Sequence, residues 1–150
     1  MDLRHISLCL AAVLVGSLVI AADAEKEKFS AKCLVAGKPD AKEDKFAEYK
    51  GGKVYFCCDN CKAKFTGETA KFAAAANHQL VATKQFTQTK CPISGQPVDE
   101  SKTVEVGGVK VAFCCENCQG KAAAASEADR KEMLFKNAAF DDAFAIVKKK

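Results

Sequence analysis

The sequence predicts an α+β protein built from two small tandem units. Residues 55–61 read Tyr-Phe-Cys-Cys-Asp-Asn-Cys, and residues 112–118 read Ala-Phe-Cys-Cys-Glu-Asn-Cys. A glycine pair precedes each motif, and an alanine-rich run follows each. Repetition at a fixed spacing indicates a duplicated structural unit, so each motif is expected to lie in its own copy of one fold.

The N-terminus predicts export. An apolar run, residues 6–20, follows a short start that carries Arg4, and Ala22-Asp23-Ala24 comes next. These features are typical of a secretory signal peptide. The run is shorter than the ~20 residues that a membrane-spanning helix needs. We therefore predict a signal peptide at residues 1–24, a mature chain without stable membrane insertion, and a periplasmic or secreted location.

The charge of the mature chain argues against nucleic-acid binding. Removal of residues 1–24 takes away Asp2, Arg4 and Asp23 and leaves 22 basic and 17 acidic residues, a net charge of +5. Arg130 is then the only arginine, and most lysines are dispersed along the chain. Because bidentate recognition of bases and phosphates relies on arginine, we predict no nucleic-acid partner. The sequence does not identify a protein partner.

The duplication sets the boundaries of the two units. Cys33 precedes Cys91 by 58 positions, and Cys57 precedes Cys114 by 57. The glycine pair at 51–52 aligns with the pair at 107–108 if the preceding loops differ by one residue. The first unit is predicted at residues 25–82 and the second at 83–150, with the threonine-rich stretch 82–90 as a linker.

Each unit is predicted to contain a β-hairpin followed by helices. Apolar residues alternate with polar or small ones on both sides of each glycine pair, which indicates two strands joined by a tight turn. An acidic residue and an asparagine then favour a helix start at 59 and at 116. Alanine-rich runs predict helices over 59–65, 68–76, 116–125, 127–136 and 141–149, with phenylalanines in the core. His78, near the end of one of these helices, is expected to be a surface or capping residue.

Four cysteines in each unit form a candidate metal site. A hairpin end and the first turn of a helix are rigid positions, and a helix N-terminus lowers the pKa of a thiol placed there. A cysteine from the upstream loop can close the shell. Zinc accepts three or four thiolates in a tetrahedron, and a soft ion such as Cu(I) also suits sulfur. The expected cofactor is therefore zinc or another thiophilic ion such as copper. The candidate ligands are Cys33, Cys57, Cys58, Cys61, Cys91, Cys114, Cys115 and Cys118.

The adjacent cysteines leave a choice open. Alternation along a strand places Cys57 and Cys58 on opposite sides, and both spacings to Cys61 are compatible with ligation. The same choice exists between Cys114 and Cys115. Residues 33, 61, 91 and 118 are the firmer ligand assignments.

The pattern resembles the YHS and TRASH-like families of small treble-clef-type metal-binding modules. The resemblance rests on a knuckle cysteine, a hairpin with a glycine turn and the sequence Phe-Cys-x3-Cys, and it covers nearly all of the mature chain. Tandem copies behind a signal peptide are similar to exported proteins of the planctomycete type. The resemblance implies two treble-clef-like units, each with a loop or knuckle, a β-hairpin and following helices. It places Cys57, Cys61, Cys114 and Cys118 at the families' ligand positions.

Two departures from the families occur in both copies. The second knuckle cysteine of TRASH-like modules is replaced by Ala36 in one copy and by Ser94 in the other. Both copies also carry an extra cysteine, Cys58 or Cys115. We hypothesise that the added thiol fills the vacated ligand place.

The leading functional interpretation is an exported, non-enzymatic metal-binding protein with two cysteine-thiolate sites, for structural zinc or for heavy-metal capture and handling. The alternative is a disulfide-stapled secreted interaction module without metal, in which closing a ~25-residue loop would contribute on the order of 3 kcal/mol. A thiol-redox protein is a third interpretation, but a thioredoxin-like domain does not fit into so short a unit. No histidine lies near Ser94 or Ser101 in the sequence to activate a serine for hydrolysis.

Overall fold

The computed structural model describes residues 29–148. The predicted signal peptide, residues 1–24, lies outside these residues. The described chain contains five helices and three two-stranded antiparallel sheets, which confirms the α+β class and the two cysteine-rich units. No helix among residues 29–148 combines the length and the apolar character needed to cross a membrane. In chain order the elements are β1 (Lys42–Tyr49), β2 (Gly52–Phe56), α1 (Asp59–Gly67), α2 (Ala73–Ala82), β3 (Phe86–Gln88), β4 (Asp99–Val106), β5 (Val109–Phe113), α3 (Glu116–Ala124), α4 (Glu127–Phe135), α5 (Asn137–Ala143) and β6 (Phe144–Ile146).

The two hairpins, β1–β2 and β4–β5, have the same register. Tyr49 pairs with Gly52 in the first hairpin, and Val106 pairs with Val109 in the second. In both, the register shifts once near the start of the first strand, between 42 and 46 and between 99 and 103. Such a bulge bends the strand and increases its twist. The duplication therefore extends to the irregularities of the backbone.

This register corrects the sequence alignment of the glycine pairs. The two turn residues are Lys50 and Gly51 in the first hairpin, with φ of 51° and 81°. In the second they are Gly107 and Gly108, with φ of 53° and 82°. Lys50 thus corresponds to Gly107, because two-residue turns with positive φ at both positions match the twist of the strands they join.

Three of the five predicted helices lie close to their expected places, and two do not. Helices α1, α3 and α4 begin where predicted, whereas α2 begins at Ala73 rather than at 68 and continues to Ala82. Residues 68–72 form turns after α1 ends at Gly67. The predicted helix at 141–149 is wrong, since α5 ends at Ala143 and 144–146 form β6. The predicted linker contains β3, which pairs with β6.

One hydrophobic core spans both units. Helix α2 of the first unit packs against α4 of the second, and the side chain of Asn77 donates a hydrogen bond of 2.8 Å to the carbonyl of Phe135. Phe144 stacks on Phe135 and Phe140, with ring centroids 5.5 and 5.2 Å apart. The prediction that phenylalanines lie in the core is confirmed for Phe140 and Phe144, and Leu134 is buried with them, while Phe72 is only partly buried and Ile146 is 43% exposed. The units are therefore supported by one another and not only by their own residues.

Glutamine side chains cover the outer edges of β2 and β5. In each case the amide accepts a hydrogen bond from a strand N–H and donates one to the carbonyl of the same residue, as a neighbouring strand would. Unpaired strand edges are templates for pairing with other chains, and these contacts occupy them. The pairs are Gln79 with Tyr55, Gln85 with Lys53, and Gln88 with Ala112, at 2.6–2.9 Å.

Candidate metal centres

The structure gathers six of the eight candidate cysteines into two groups of three. In each group the three sulfur atoms all lie within 4.8 Å of one another. We call them the first triad, Cys33, Cys57 and Cys61, and the second triad, Cys91, Cys114 and Cys118. Every cysteine in residues 29–148 has a free thiol, and no disulfide joins them.

A compact loop positions the first cysteine of each triad. The N–H of Cys33 donates to the carbonyl of Pro39, and its own carbonyl accepts from Gly37, which has φ of 75°. Cys91 is held in the same way by Gln96 and by Gly95. A left-handed glycine allows each loop to turn back on itself. Both loop cysteines are fully buried.

The hairpin end and the following helix supply the other two thiols. Phe56 and Phe113 end their strands fully buried in the core, which fixes the backbone just before Cys57 and Cys114. Cys61 and Cys118 lie in the first turns of α1 and α3. The sulfurs of Cys57 and Cys61 are 3.7 Å apart, and those of Cys114 and Cys118 are 3.8 Å apart.

Cys58 and Cys115 lie beside the triads but are not members of them. They occupy the N-cap positions of α1 and α3. The sulfur of Cys58 is 3.8 Å from that of Cys57, and the sulfur of Cys115 is 3.6 Å from that of Cys114. The sequence left open whether Cys57 or Cys58, and whether Cys114 or Cys115, belongs to the site. The structure brings Cys57 and Cys114 into the triads and places Cys58 and Cys115 next to them.

The sulfur spacings fit a thiolate-bound metal ion. A zinc–sulfur bond of about 2.3 Å places two sulfurs of a regular tetrahedron about 3.8 Å apart. The four close sulfur pairs described above are separated by 3.6–3.8 Å. A disulfide would require the sulfurs to approach to about 2.05 Å. Each triad therefore has the donor atoms and the spacing to hold a metal ion.

In the first triad the pKa values of Cys33 and Cys61 are shifted in opposite directions. Burial acts to raise the pKa of Cys33, but hydrogen bonding from the backbone at Ala36 and Cys57 outweighs it, so the net shift is downward. Burial and the adjacent thiols of Cys58 and Cys57 raise the pKa of Cys61 to about 12. Clustered thiolates repel one another, and a bound cation removes that penalty. The triad therefore favours a cation over three free thiolates.

In the second triad the pKa values of Cys91 and Cys118 are likewise shifted in opposite directions. Burial acts to raise the pKa of Cys91, but the Ser94 hydroxyl and the backbone at Cys114 bring the pKa to about 7. Burial and the thiols of Cys114 and Cys115 raise the pKa of Cys118 to about 12. The hydroxyl of Ser94 also lies 3.1 Å from the sulfur of Cys114. The first triad has no such contact, because Ala36 stands at the aligned position.

The extra thiols sit at the positive ends of helix dipoles. Their sulfurs make no cap hydrogen bond, yet the backbone at Cys61, together with the adjacent thiols, lowers the pKa of Cys58. The backbone at Cys118 lowers the pKa of Cys115 in the same way. A lowered pKa increases the thiolate fraction of each thiol, and the thiolate is the form that binds metal.

His78 was expected to be a surface or capping residue, and the structure shows a different environment. It lies inside α2, where its Nε2 is 2.7 Å from the carbonyl oxygen of Val106 and its ring packs edge-on against Phe135. Burial lowers its pKa. His78 and Lys131 line a cleft of about 420 Å³ between the two units. The signal in the sequence was the polar run 77–79 inside an apolar helical stretch, which indicates buried polar contacts.

Comparison with protein-family models, with curated proteins and with solved structures found no match to this chain. The assignment of the two triads therefore depends on their own geometry.

Proposed function

We propose that this protein is an exported, non-enzymatic metal-binding protein that holds one thiophilic ion in each cysteine triad. The observation that carries the proposal is the presence of two triads of free thiols, each with all sulfurs within 4.8 Å. The signal-peptide pattern at residues 1–24 supports a periplasmic or secreted location. The order of knuckle, hairpin and helix supports a relationship to the YHS and TRASH-like modules.

The ion we propose is zinc, with the extra thiol as the fourth ligand. Three thiolates leave one position of a tetrahedron open, and Cys58 or Cys115 supplies a neighbouring thiol for it. This arrangement restores the four sulfurs that Ala36 and Ser94 would otherwise remove from a TRASH-like site. Cu(I) is the alternative ion, since it accepts a shell of three sulfurs.

Ion binding is expected to stabilise the fold as well as to serve any handling role. Each triad joins a loop, a strand end and a helix start that are separated in the sequence by up to 28 residues. A site that forms only in the folded state contributes its binding free energy to folding. Small units with limited cores commonly depend on such a contribution.

The decisive experiment is elemental analysis of mature protein, residues 25–150, purified from the exporting compartment, together with a thiol count. We expect two equivalents of metal per chain and eight reactive thiols after chelation in denaturant. Cys33→Ser and Cys91→Ser are matched variants, and each should lower the metal content to one equivalent. Absence of metal together with absence of free thiols would instead establish the disulfide-stapled module.

Cobalt substitution tests the fourth ligand, while the elemental analysis identifies the ion. Four thiolates around Co²⁺ give tetrahedral absorption bands with a strong sulfur-to-metal charge-transfer component. Cys58→Ser should change these bands at one of the two sites and weaken binding there by about tenfold or more, since removal of a charged ligand costs at least ~1.4 kcal/mol. Unchanged bands and unchanged metal stoichiometry under chelator competition would show that Cys58 is not a ligand.

A further inference from the structure

We propose that the two metal sites differ in function: the first exchanges its ion with an incoming anionic thiolate ligand, and the second retains its ion. This inference rests on the proposed metal-binding function. It follows from three differences between sites that share the same cysteine pattern.

The first difference is the exposure of the cysteine residues. Cys58 is exposed, whereas the corresponding Cys115 is only partly exposed. Cys61 is partly exposed, whereas the corresponding Cys118 is buried at 7% exposure. Thiolate exchange at a metal requires an incoming sulfur to reach the ion before a resident ligand leaves. The first site presents two more accessible cysteines, Cys58 and Cys61, so exchange should be faster there.

The second difference is the hydroxyl of Ser94. It lies 3.1 Å from the sulfur of Cys114. When Cys114 is a metal-bound thiolate, the hydroxyl donates to it and must be released before Cys114 can leave the ion. Ala36 provides no donor at the aligned position of the first site. A hydrogen bond of ordinary net strength corresponds to about a fivefold change in rate if it is lost when the ligand leaves.

The third difference is the charge around the sites. Residues 42–45, 59 and 62 of the first unit sum to zero charge, while the aligned residues 99–102, 116 and 119 sum to −2. Lys45 forms an ion pair of 2.9 Å with Asp59, at the start of α1 beside Cys58. At the second site Asp99 stands in place of Lys42, and Gln119 in place of Lys62. An anionic thiolate is therefore repelled less at the first site than at the second, and the difference should decrease with salt.

Metal release from the intact protein tests the inference without destroying either site. The mature protein is loaded with two equivalents of Zn²⁺ and mixed with a chromophoric chelator in excess, with and without glutathione as the anionic thiol. We expect two phases of equal amplitude. The rate of the fast phase should be at least about tenfold higher with glutathione than without it. The acceleration should be smaller with the uncharged thiol 2-mercaptoethanol and should decrease as salt is added.

Two matched substitutions identify the phases. Ser94→Ala should accelerate only the slow phase, by about fivefold, and Ala36→Ser should leave the slow phase unchanged. A single phase that accounts for both ions, or acceleration of the fast phase by Ser94→Ala, would overturn the inference while leaving the metal-binding function intact. A protein that binds no Zn²⁺ before the chelator is added would overturn the proposed function itself.

Discussion

At the hairpin turns, the first unit has Lys50 where the second unit has Gly107. The side chain of Lys50 reaches the second unit, where its ammonium pairs with Asp141 and lies 5.5 Å from the ring of Phe140. A Cβ at position 107 would instead lie 3.0 Å from the ring of His78, which belongs to the first unit. At each turn, the residue present is the one that fits the opposite unit.

The strand edges also differ between the units. Tyr55 and Ala112 occupy equivalent places in β2 and β5, yet Gln79 from a helix covers the first and Gln88 from a strand covers the second. The cysteine positions, by contrast, are repeated in both units. The comparison teaches that the duplicated chain kept the positions of its triad cysteines and diverged in the residues around the turns and the strand edges.

The largest effect should come from separating the units. We expect a fragment of residues 25–82 to lack a cooperative unfolding transition even with zinc, because its helix α2 would lose the second-unit surface formed by α4 and α5. Circular dichroism during thermal unfolding, with and without zinc, measures this. The fragment 83–150 is the matched comparison. A sharp transition in either fragment would show that its unit folds alone.

Removal of a triad thiol should have the next largest effect. Cys61→Ser and Cys118→Ser should each remove one ion and lower the free energy of unfolding by several kcal/mol, because ligand loss also removes a link within the fold. The comparison of the two variants by urea unfolding, in metal-loaded form, shows which site stabilises the shared core more. Ser101→Ala, at an exposed position outside the triads, is the control. If stability is unchanged by both cysteine variants, the sites do not contribute to folding.

The turn comparison predicts a smaller effect. Gly107→Ala should destabilise the protein by about 2 kcal/mol, because a left-handed conformation costs an L-residue roughly 1–2 kcal/mol and the new Cβ also crowds His78. Gly108→Ala is a matched control, since φ is also positive there but a Cβ would meet nothing within 4 Å. Urea unfolding measures both. If both variants lose the same free energy of unfolding, the contact with His78 does not contribute to stability.

The smallest effect concerns pH. Burial lowers the pKa of His78 in the folded protein below its ordinary value of 6.5. The unfolded chain therefore binds the proton more tightly, and the contribution to stability that is present above pH 6.5 is lost as the pH falls towards the lowered pKa. We expect the wild type to lose more stability than His78→Gln between pH 7.5 and 5.5, as measured by urea unfolding. Parallel losses would show that His78 does not contribute this dependence.

The sequence predicted the parts of the structure that local patterns determine. The hairpins, the helix starts at Asp59 and Glu116, and the collection of cysteines follow from alternation, turn residues and capping. Strand β6 was missed because its apolar side chains suit either a helix or a strand, and only pairing with β3 selects the strand. Contacts between distant residues decided that element.

The choice between Cys57 and Cys58 was beyond the sequence for a related reason. A shift of one residue reverses which side chains of a strand face inward. The structure ends β2 at the buried Phe56 and makes Cys58 the N-cap of α1, so Cys57 lies within the triad. Burial of Phe56 depends on the shared core, which periodicity within one unit does not reveal.

The glutamines along β2 and β5 have a consequence for the protein at high concentration. A two-stranded hairpin with a free edge can recruit a strand from a neighbouring copy of the chain. Here the amides of Gln79, Gln85 and Gln88 already occupy the hydrogen-bonding groups that such a strand would use. The protein can therefore keep its thiols near the surface while the strands beside them resist self-association.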